Sequence, residues 1–434
     1  MEQIRIGQAA FPAPFKAGLE YSSPARGTWN IVHTGMLIPE SHQIFVCALG
    51  CLRGVVLTAA EMNALDRYSS IILREENILD GSMEQLMLEG VEDVLDKLPY
   101  RPKAVLIFIS CQHFFMAYDQ QYVYDTLRER HPEIRFADCY MIPTLRKSGM
   151  TPDQKMRIQM HSMLEPMPKD SRRINLLGSN LPLDPCSELG RLVTRAGYQL
   201  CSIHSCRTFD EYLQLASASL NLFYEPLAGR AMDDLQKRLD QPYLYMPFTF
   251  DTAELMAAYD RLFTVLGAPL PDLTQDRAQA EAAMDRALEI IGETEIAVDY
   301  SLTFRILSFT RMLITHGFHV TTVYADAFLP EEQADFEWLR GHAPELIIRP
   351  CSRPSMRVAD RGSEGHGDQK LLALGQKAAY FEGTDHFVNI VESGGLYGFG
   401  GIARMADLMI EAYQEKKDRR DIIQRKGFGC ESCI

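Results

Sequence analysis

The sequence predicts an α/β protein built from three open parallel β-sheets around a central cleft. Segments with the pattern of buried strands alternate with segments that have the apolar spacing of helices, and this alternation starts again twice along the chain. At 434 residues the chain is also too long for a single hydrophobic core. We therefore expect three domains that share one type of architecture.

The first domain is expected over residues 1–165. Residues 104–109 form a continuous apolar run, which is typical of a strand buried on both faces. Residues 83–98 carry apolar side chains at helical spacing, and residues 122–130 and 134–142 predict a further helix and strand. This order indicates a Rossmann-like parallel sheet with crossover helices.

Two more domains are expected, over residues 166–292 and 293–434. The stretch 166–173 is polar and contains proline, which indicates a linker, and strands are predicted at 174–177, 199–202 and 220–223. After an acidic helix at 275–291, strands are predicted at 295–299, 319–324, 345–349 and 387–392. The last of these leads into a glycine-rich corner, Ser393–Gly401, and a final helix.

Composition limits the possible partners and the compartment. The formal net charge of -14 argues against nucleic acid or an anionic membrane surface as a partner, because both carry negative charge. The first residues lack a basic start followed by a long apolar stretch, and no apolar run is long enough to span a bilayer. We therefore expect a cytoplasmic protein whose ten cysteines are mostly reduced thiols.

Cys51 and Cys111 are the leading candidates for metal ligands. Each follows an apolar stretch, 44–50 and 104–110, and is expected to close a strand. The carboxyl ends of parallel strands face the crevice in which open α/β sheets bind ligands, and thiolates select iron–sulfur clusters, zinc or copper. The alternative is that both are ordinary buried cysteines, since cysteine is among the most buried residue types.

Other candidates carry weaker signals. Cys47 lies four residues before Cys51 and is a third possible thiol ligand. Cys430 and Cys433 form a terminal CxxC, a spacing that suits metal or a redox dithiol, although two incidental thiols in a tail explain it equally well. The glycine-rich corner follows a strand and opens a helix, so its backbone amides are candidates for holding an anion. The sequence contains no phosphate-binding G-x-x-x-x-G-K-[ST] motif.

Several blocks together resemble component 1 of nitrogenase and its relatives, which include reductases of tetrapyrrole biosynthesis and of nickel-porphinoid assembly. Residues 42–51 are similar to the family's HxxHGPxGC block, with Cys51 at the cluster cysteine. Ser110-Cys111 with Asp119 is similar to its second cysteine and the acidic residue downstream, and residues 393–401 are similar to its late S-G-P-Y-H-G-F-x-G block. The order and spacing of these blocks cover nearly the whole chain.

The departures from this pattern bear on the chemistry. The family's first cluster cysteine is expected near residues 21–25, where this chain has no cysteine, and Cys47 is extra. Glu225 and Tyr397 stand where the nitrogenase cofactor has its cysteine and histidine anchors. Carboxylate and phenol are poor ligands for a sulfide-rich cluster, so we expect a substrate other than N2, with Glu225 and Tyr397 as pocket residues and proton donors.

The resemblance implies a nitrogenase-like reductase subunit. It implies an iron–sulfur cluster, [4Fe-4S] in type, held by Cys51, Cys111 and Cys47, with further ligands from a second homologous subunit or a second copy. It also implies an iron–sulfur ATPase that delivers low-potential electrons. Two alternatives stay open at this point: a scaffold for metallocluster assembly, and a non-redox binding protein on the same fold.

Overall fold

The computed structural model describes residues 2–20, 31–142, 149–358, 370–420 and 422. Spatial proximity divides the chain into two compact units. The first unit comprises residues 1–28, 181–197 and 246–434, and the second comprises residues 29–180 and 198–245. Each unit is described separately below.

Strands and helices alternate along most of the chain. The first part contains β1 (Ile4–Arg5), α1 (Ile31–Met36), β2 (Ser41–Cys47), α2 (Leu49–Glu61), β3 (Tyr68–Ile72), α3 (Glu75–Leu79), α4 (Met83–Lys97), β4 (Ala104–Ser110), α5 (Cys111–Phe115), α6 (Gln120–Arg130), β5 (Arg135–Met141) and α7 (Pro152–Gln159). The middle part contains β6 (Asp170–Leu176), α8 (Leu189–Arg195), β7 (Gln199–Ser202), α9 (Phe209–Leu213), β8 (Ala218–Phe223), α10 (Gly229–Leu239), β9 (Tyr243–Tyr245), α11 (Thr252–Leu266) and α12 (Thr274–Ile291). The last part contains β10 (Glu295–Asp299), α13 (Ile306–Thr315), β11 (Val320–Tyr324), α14 (Gln333–His342), β12 (Ile347–Arg349), β13 (Leu371–Leu374), α15 (Gln376–Glu382), β14 (Phe387–Val388) and α16 (Gly398–Gln414).

The second unit contains two four-stranded parallel sheets. The first sheet has the order β3-β2-β4-β5, and every residue of its two central strands, β2 and β4, is buried. Their side chains alternate between two hydrophobic clusters, one on each face of the sheet. Phe45 and Phe108 are neighbours in the strand register and stack on one face, with ring centroids 4.2 Å apart. Burial on both faces explains the continuous apolar runs in these strands.

The other sheet of this unit has the order β7-β6-β8-β9. Its two central strands carry Asn175 and Asn221 opposite each other, and both are fully buried. The side-chain amide of Asn175 donates to the Asn221 side-chain oxygen at 2.8 Å and to the Leu215 carbonyl at 2.8 Å. Because buried amides are costly unless they are hydrogen-bonded, this pair fixes the register of β6 against β8.

The first unit is built on a six-stranded sheet of order β1-β12-β11-β10-β13-β14, parallel except for β1, which runs antiparallel to β12. The chain moves outward from β10 through β11 to β12 and then crosses back to β13, so the strand order reverses between β10 and β13. At this point Asp299 ends β10 and accepts a hydrogen bond of 2.8 Å from the Ala378 amide at the start of α15. Gly375 stands beside it with φ +118°, and a Cβ there would lie 2.2 Å from the Asp299 Oδ2 atom.

The predicted class, α/β with several parallel sheets, is confirmed. The domain boundaries at 165 and 292 stay a prediction. Among the helices of the described ranges, none combines the length and the apolar character that crossing a bilayer requires.

Candidate metal centre

The first sheet places Cys51 and Cys111 after neighbouring strands. β2 and β4 pair in parallel, with Val46 opposite Ile109, so the chain leaves both strands at the same edge of the sheet. Cys51 lies in the first turn of α2 and is exposed, and Cys111 is the first residue of α5 and is half-buried. This edge is where open parallel sheets bind ligands.

The predicted strand ends were wrong by a few residues. β2 ends at Cys47, so Cys51 belongs to a helix, and β4 ends at Ser110, so Cys111 also begins a helix. In the second case the cause is local, because Ser110 caps the helix: its backbone amide donates to the Nδ1 atom of His113 at 3.3 Å. After β2 the apolar residues Ala48 and Leu49 continue past the end of the strand, so hydrophobicity does not distinguish the last strand residue from the first helical one.

Cys47 occupies a different environment from Cys51. It is the last residue of β2 and fully buried in the hydrophobic cluster that contains Phe45 and Phe108. Burial, and then the nearby Cys51 thiol, raise the pKa of Cys47 to about 12. Without a metal this thiol is therefore neutral at physiological pH.

The two histidines near these cysteines differ in their hydrogen bonding. The ring nitrogens of His42 lie 2.8 Å from the Tyr100 hydroxyl and 2.8 Å from the Ser69 hydroxyl, so this histidine is satisfied within the fold. His113 is buried, its Nδ1 atom bonds Ser110, and its Nε2 atom has no hydrogen-bond partner within the described part of the chain. Burial lowers the pKa of each to about 4, so both rings are neutral.

Exposed apolar side chains lie close in sequence to the two candidate thiols. Leu49, the first residue of α2, is 71% exposed, and Phe114, Phe115 and Met116, three to five residues after Cys111, are 50–66% exposed. In the described residues no group of three or more His, Cys, Asp or Glu side chains is placed so that it could hold a metal ion. Residues 21–25, Cys430 and Cys433 lie outside the described residues. Two accessible thiols suit part of a cluster's ligand set but do not complete it.

Glu225 lies at the corresponding edge of the second unit's other sheet, after β8. Its carboxylate forms a buried ion pair with Arg157, and each side chain is 1% exposed. The same guanidinium donates to the Gly178 carbonyl after β6 and to the Asp153 carboxylate at 3.2 Å. Arg157 therefore links the ends of two neighbouring strands.

His161 was missed by reasoning from the sequence. It is 1% exposed, and neither ring nitrogen has a hydrogen-bond partner among the residues that the structure describes. Burial, and then Arg238 and Arg157, lower its pKa to about 3, so the ring is neutral. The only feature of the sequence that connects His161 with this cluster is its position four residues after Arg157. No sequence pattern indicates that Arg157 pairs with Glu225, 68 positions away.

Tyr397 belongs to the first unit and lies directly before α16. Its side chain is fully buried, with ring centroids 6.0 Å from Phe248 and 6.2 Å from Tyr259. Its immediate surroundings are therefore an aromatic core. Its predicted role as a proton donor, like that of Glu225, stays a prediction.

The glycine-rich corner does hold an anion, and the anion belongs to the chain itself. The Glu188 carboxylate accepts hydrogen bonds from the amides of Phe399 and Gly400, at 2.8 and 3.1 Å, and from the Tyr259 hydroxyl at 2.6 Å. A Cβ on Gly398 would lie 2.5 Å from this carboxylate. The glycines thus allow Glu188 to reach the N-terminus of α16, where negative charge is favoured.

The family model described as nitrogenase component 1 type oxidoreductase matches residues 34–358. A solved structure described as "Nitrogenase Cp1 at pH 6.5" is 12% identical, with 92% of this chain and 94% of that chain covered and a TM-score of 0.67. Another, "Nitrogenase Cp1 at pH 5", is 13% identical, with 94% of each chain covered and a TM-score of 0.56. A search of curated proteins finds no match. The structural likeness establishes the fold, and the family model covers most of the sequence: the chain belongs to the nitrogenase component 1 type oxidoreductase family.

Proposed function

We propose that this protein is a subunit of a nitrogenase-like reductase. In this proposal it binds a [4Fe-4S] cluster through Cys51 and Cys111, accepts electrons from an iron–sulfur ATPase, and passes them to a small organic substrate. The substrate is proposed not to be N2, because Glu225 and Tyr397 replace the cysteine and histidine anchors of the nitrogenase cofactor.

One observation carries the proposal beyond family membership. Two accessible thiols follow neighbouring parallel strands at one edge of one sheet, and both lie in the first turn of a helix. Thiolates are the ligands that iron–sulfur clusters require. When bound, such a cluster supplies one-electron transfer at low potential.

A second protomer is proposed to complete the ligand set. Cys51, Cys111 and the buried Cys47 provide at most three of four thiolates in one chain. The exposed side chains of Leu49, Phe114, Phe115 and Met116 next to the thiols support a protein contact at this edge, because large apolar side chains that cluster at a surface mark interaction sites. The partner is proposed to be a second copy or a homologous chain.

The substrate region is proposed to include the buried polar side chains at the edge of the other sheet in the second unit. Arg157 and Glu225 supply fixed charges there, and His161 is a neutral imidazole with free hydrogen-bonding capacity. His161 is suited to donate one hydrogen bond to a bound molecule or to accept one from it.

Anaerobic purification and reconstitution with iron and sulfide test the cluster. We expect a brown protein with about four iron atoms per cluster, the number that defines a [4Fe-4S] cluster, and loss of iron in C51S and C111S. C201S is the matched control, since Cys201 is a half-buried thiol of the same unit in another sheet. The iron content of C47S shows whether the buried Cys47 thiol is also a cluster ligand. A protein that stays colourless and free of iron after reconstitution would overturn the proposal.

Turnover separates the proposed reductase from the two alternatives. Oxidation of the reduced cluster by a substrate, sustained by an iron–sulfur ATPase and ATP, is expected of a reductase. Metal that transfers to another protein without ATP-dependent turnover would indicate an assembly scaffold. Ligand binding that is the same in wild type and in the C51S/C111S double variant would indicate a non-redox binding protein.

A further inference from the structure

A cavity in the first unit lies apart from every residue discussed so far. It has a volume of about 510 Å³ and is enclosed by the start of α11, the middle of α12, the helix α13 and the start of α14. This volume is within the range of small-molecule sites. None of the candidate cluster ligands lines it.

The walls of this cavity are dominated by carboxylates. They outnumber guanidinium groups five to two, the carboxylates being Asp251, Glu254, Glu281, Glu331 and Asp335. Arg305 forms ion pairs with Glu254 at 2.7 Å, Asp335 at 3.5 Å and Glu331 at 3.6 Å. Arg311 pairs with Asp335 at 3.1 Å. An excess of carboxylates in a concave site concentrates cations and repels anions.

The remaining carboxylates approach the cavity from different elements. Asp251 caps α11 through the Glu254 amide at 2.8 Å. Glu281, on α12, accepts a hydrogen bond of 2.8 Å from the Thr252 hydroxyl and lies 3.7 Å from His316. Negative charge is therefore spread along the walls, which suits an elongated cation better than a compact one.

Arg305 supplies an independent observation that calls for an acceptor. Its side chain is 7% exposed and lines the cavity. Its Nε–H group has no hydrogen-bond acceptor in the described ranges: the Glu331 oxygen, 3.6 Å away, is within ion-pair distance but too far for a hydrogen bond. A buried donor without an acceptor is costly, and a ligand oxygen would remove that cost.

We propose that this cavity binds an α-amino acid with a cationic side chain. The ammonium and side-chain cation of such a ligand meet the spread carboxylates, and its own carboxylate accepts the Arg305 Nε–H. The ligand's net positive charge offsets part of the excess of carboxylates. This site goes beyond the proposed reductase function and does not depend on it.

Isothermal titration calorimetry on the full-length, metal-free protein tests the site from the ligand side. We expect L-arginine or L-lysine to bind. Agmatine, which lacks the carboxylate, should bind at least tenfold more weakly than L-arginine, and L-glutamate should not bind. Absence of binding by both basic amino acids at millimolar concentration would overturn the proposal. So would agmatine binding as tightly as L-arginine, because the acceptor for Arg305 would then be irrelevant.

Two variants on one helix test it from the protein side. E281Q removes a wall charge and is expected to weaken binding of the basic amino acid at least tenfold. E289Q is the matched control, because Glu289 is exposed on the same helix and does not line the cavity. Equal affinities in E281Q and E289Q would contradict the site, and thermal melting verifies that both variants are folded.

Discussion

Arg157 and Glu225 form an ion pair in which each side chain is 99% buried, at the ends of two neighbouring strands of one sheet. The sequence resemblance predicts that Glu225 stands in the place of the cysteine anchor of the nitrogenase cofactor. The same guanidinium also bonds the Asp153 carboxylate and the Gly178 carbonyl. Charged side chains, rather than a cysteine, therefore occupy this edge of the sheet.

The buried pair predicts a large loss of stability when one partner is neutralised. E225Q leaves the Arg157 guanidinium buried beside a neutral group, and we expect the free energy of unfolding to fall by about 3–5 kcal/mol in urea titrations. The control is E133Q, which removes the exposed pair between Arg101 and Glu133 and should change the free energy of unfolding far less than E225Q does. Similar losses for the two variants would show that burial does not set the strength of the pair.

Close packing at the glycine-rich corner predicts that Gly400 cannot be replaced by alanine. A Cβ on Gly400 would lie 1.9 Å from the Cys186 carbonyl oxygen, so G400A should lower the free energy of unfolding by several kcal/mol. G190A is the matched control, because Gly190 also lies in a helix and a Cβ there would meet nothing within 4 Å. We expect G190A to be neutral or to stabilise by up to about 1 kcal/mol. An equal effect of both substitutions in thermal melting would contradict this account.

Glu332 predicts a pH-dependent contribution to stability. It is fully buried and accepts amide hydrogen bonds from Leu307 and Ser308, and burial raises its pKa from 4.5 to about 7. Between these two values the folded protein retains a proton that the unfolded chain has released. The stabilisation by the protonated Glu332 is therefore complete below about pH 4.5. As the pH rises to about 7, this stabilisation is lost and the free energy of unfolding falls by about 3 kcal/mol.

The variant E332Q isolates this contribution, since glutamine retains an oxygen that can accept the two amides. The difference in unfolding free energy between wild type and E332Q should change across pH 4.5–7. E337Q, which alters an exposed carboxylate on α14, should show the same pH dependence of the unfolding free energy as the wild type. Parallel profiles for wild type and E332Q would exclude Glu332 as the source.

Cys51 and Cys47 should differ in reactivity despite their proximity in sequence. Cys51 is exposed, whereas Cys47 is fully buried with a pKa of about 12. Iodoacetamide at pH 8 should therefore modify Cys51 at least about tenfold faster than Cys47 in the metal-free native protein. Fragment-ion mass spectrometry locates the label, and unfolding in guanidinium should abolish the difference. Equal labelling of both residues under native conditions would contradict the burial of Cys47.

The sequence was a good guide where a physical pattern is local. The continuous apolar run at 104–109 predicted β4, because a strand covered on both faces has no polar side, and apolar spacing at 83–98 predicted α4. The ion pair of Arg157 with Glu225 and the contact of Glu188 with Phe399 join residues 68 and 211 positions apart. No local periodicity encodes such contacts, so the sequence indicated an anion at the glycine-rich corner without indicating that Glu188 supplies it.

The reversal of strand order between β10 and β13 has a consequence for protein engineering. In dinucleotide-dependent enzymes the crevice at such a reversal admits a pyrophosphate group, but here the Asp299 carboxylate lies beside Gly375 and accepts a hydrogen bond from the Ala378 amide in the first turn of α15. A designer who wished to graft nicotinamide chemistry onto this sheet would first have to remove that carboxylate. Adding glycines to the loop while Asp299 remained would leave a fixed negative charge facing the incoming phosphates.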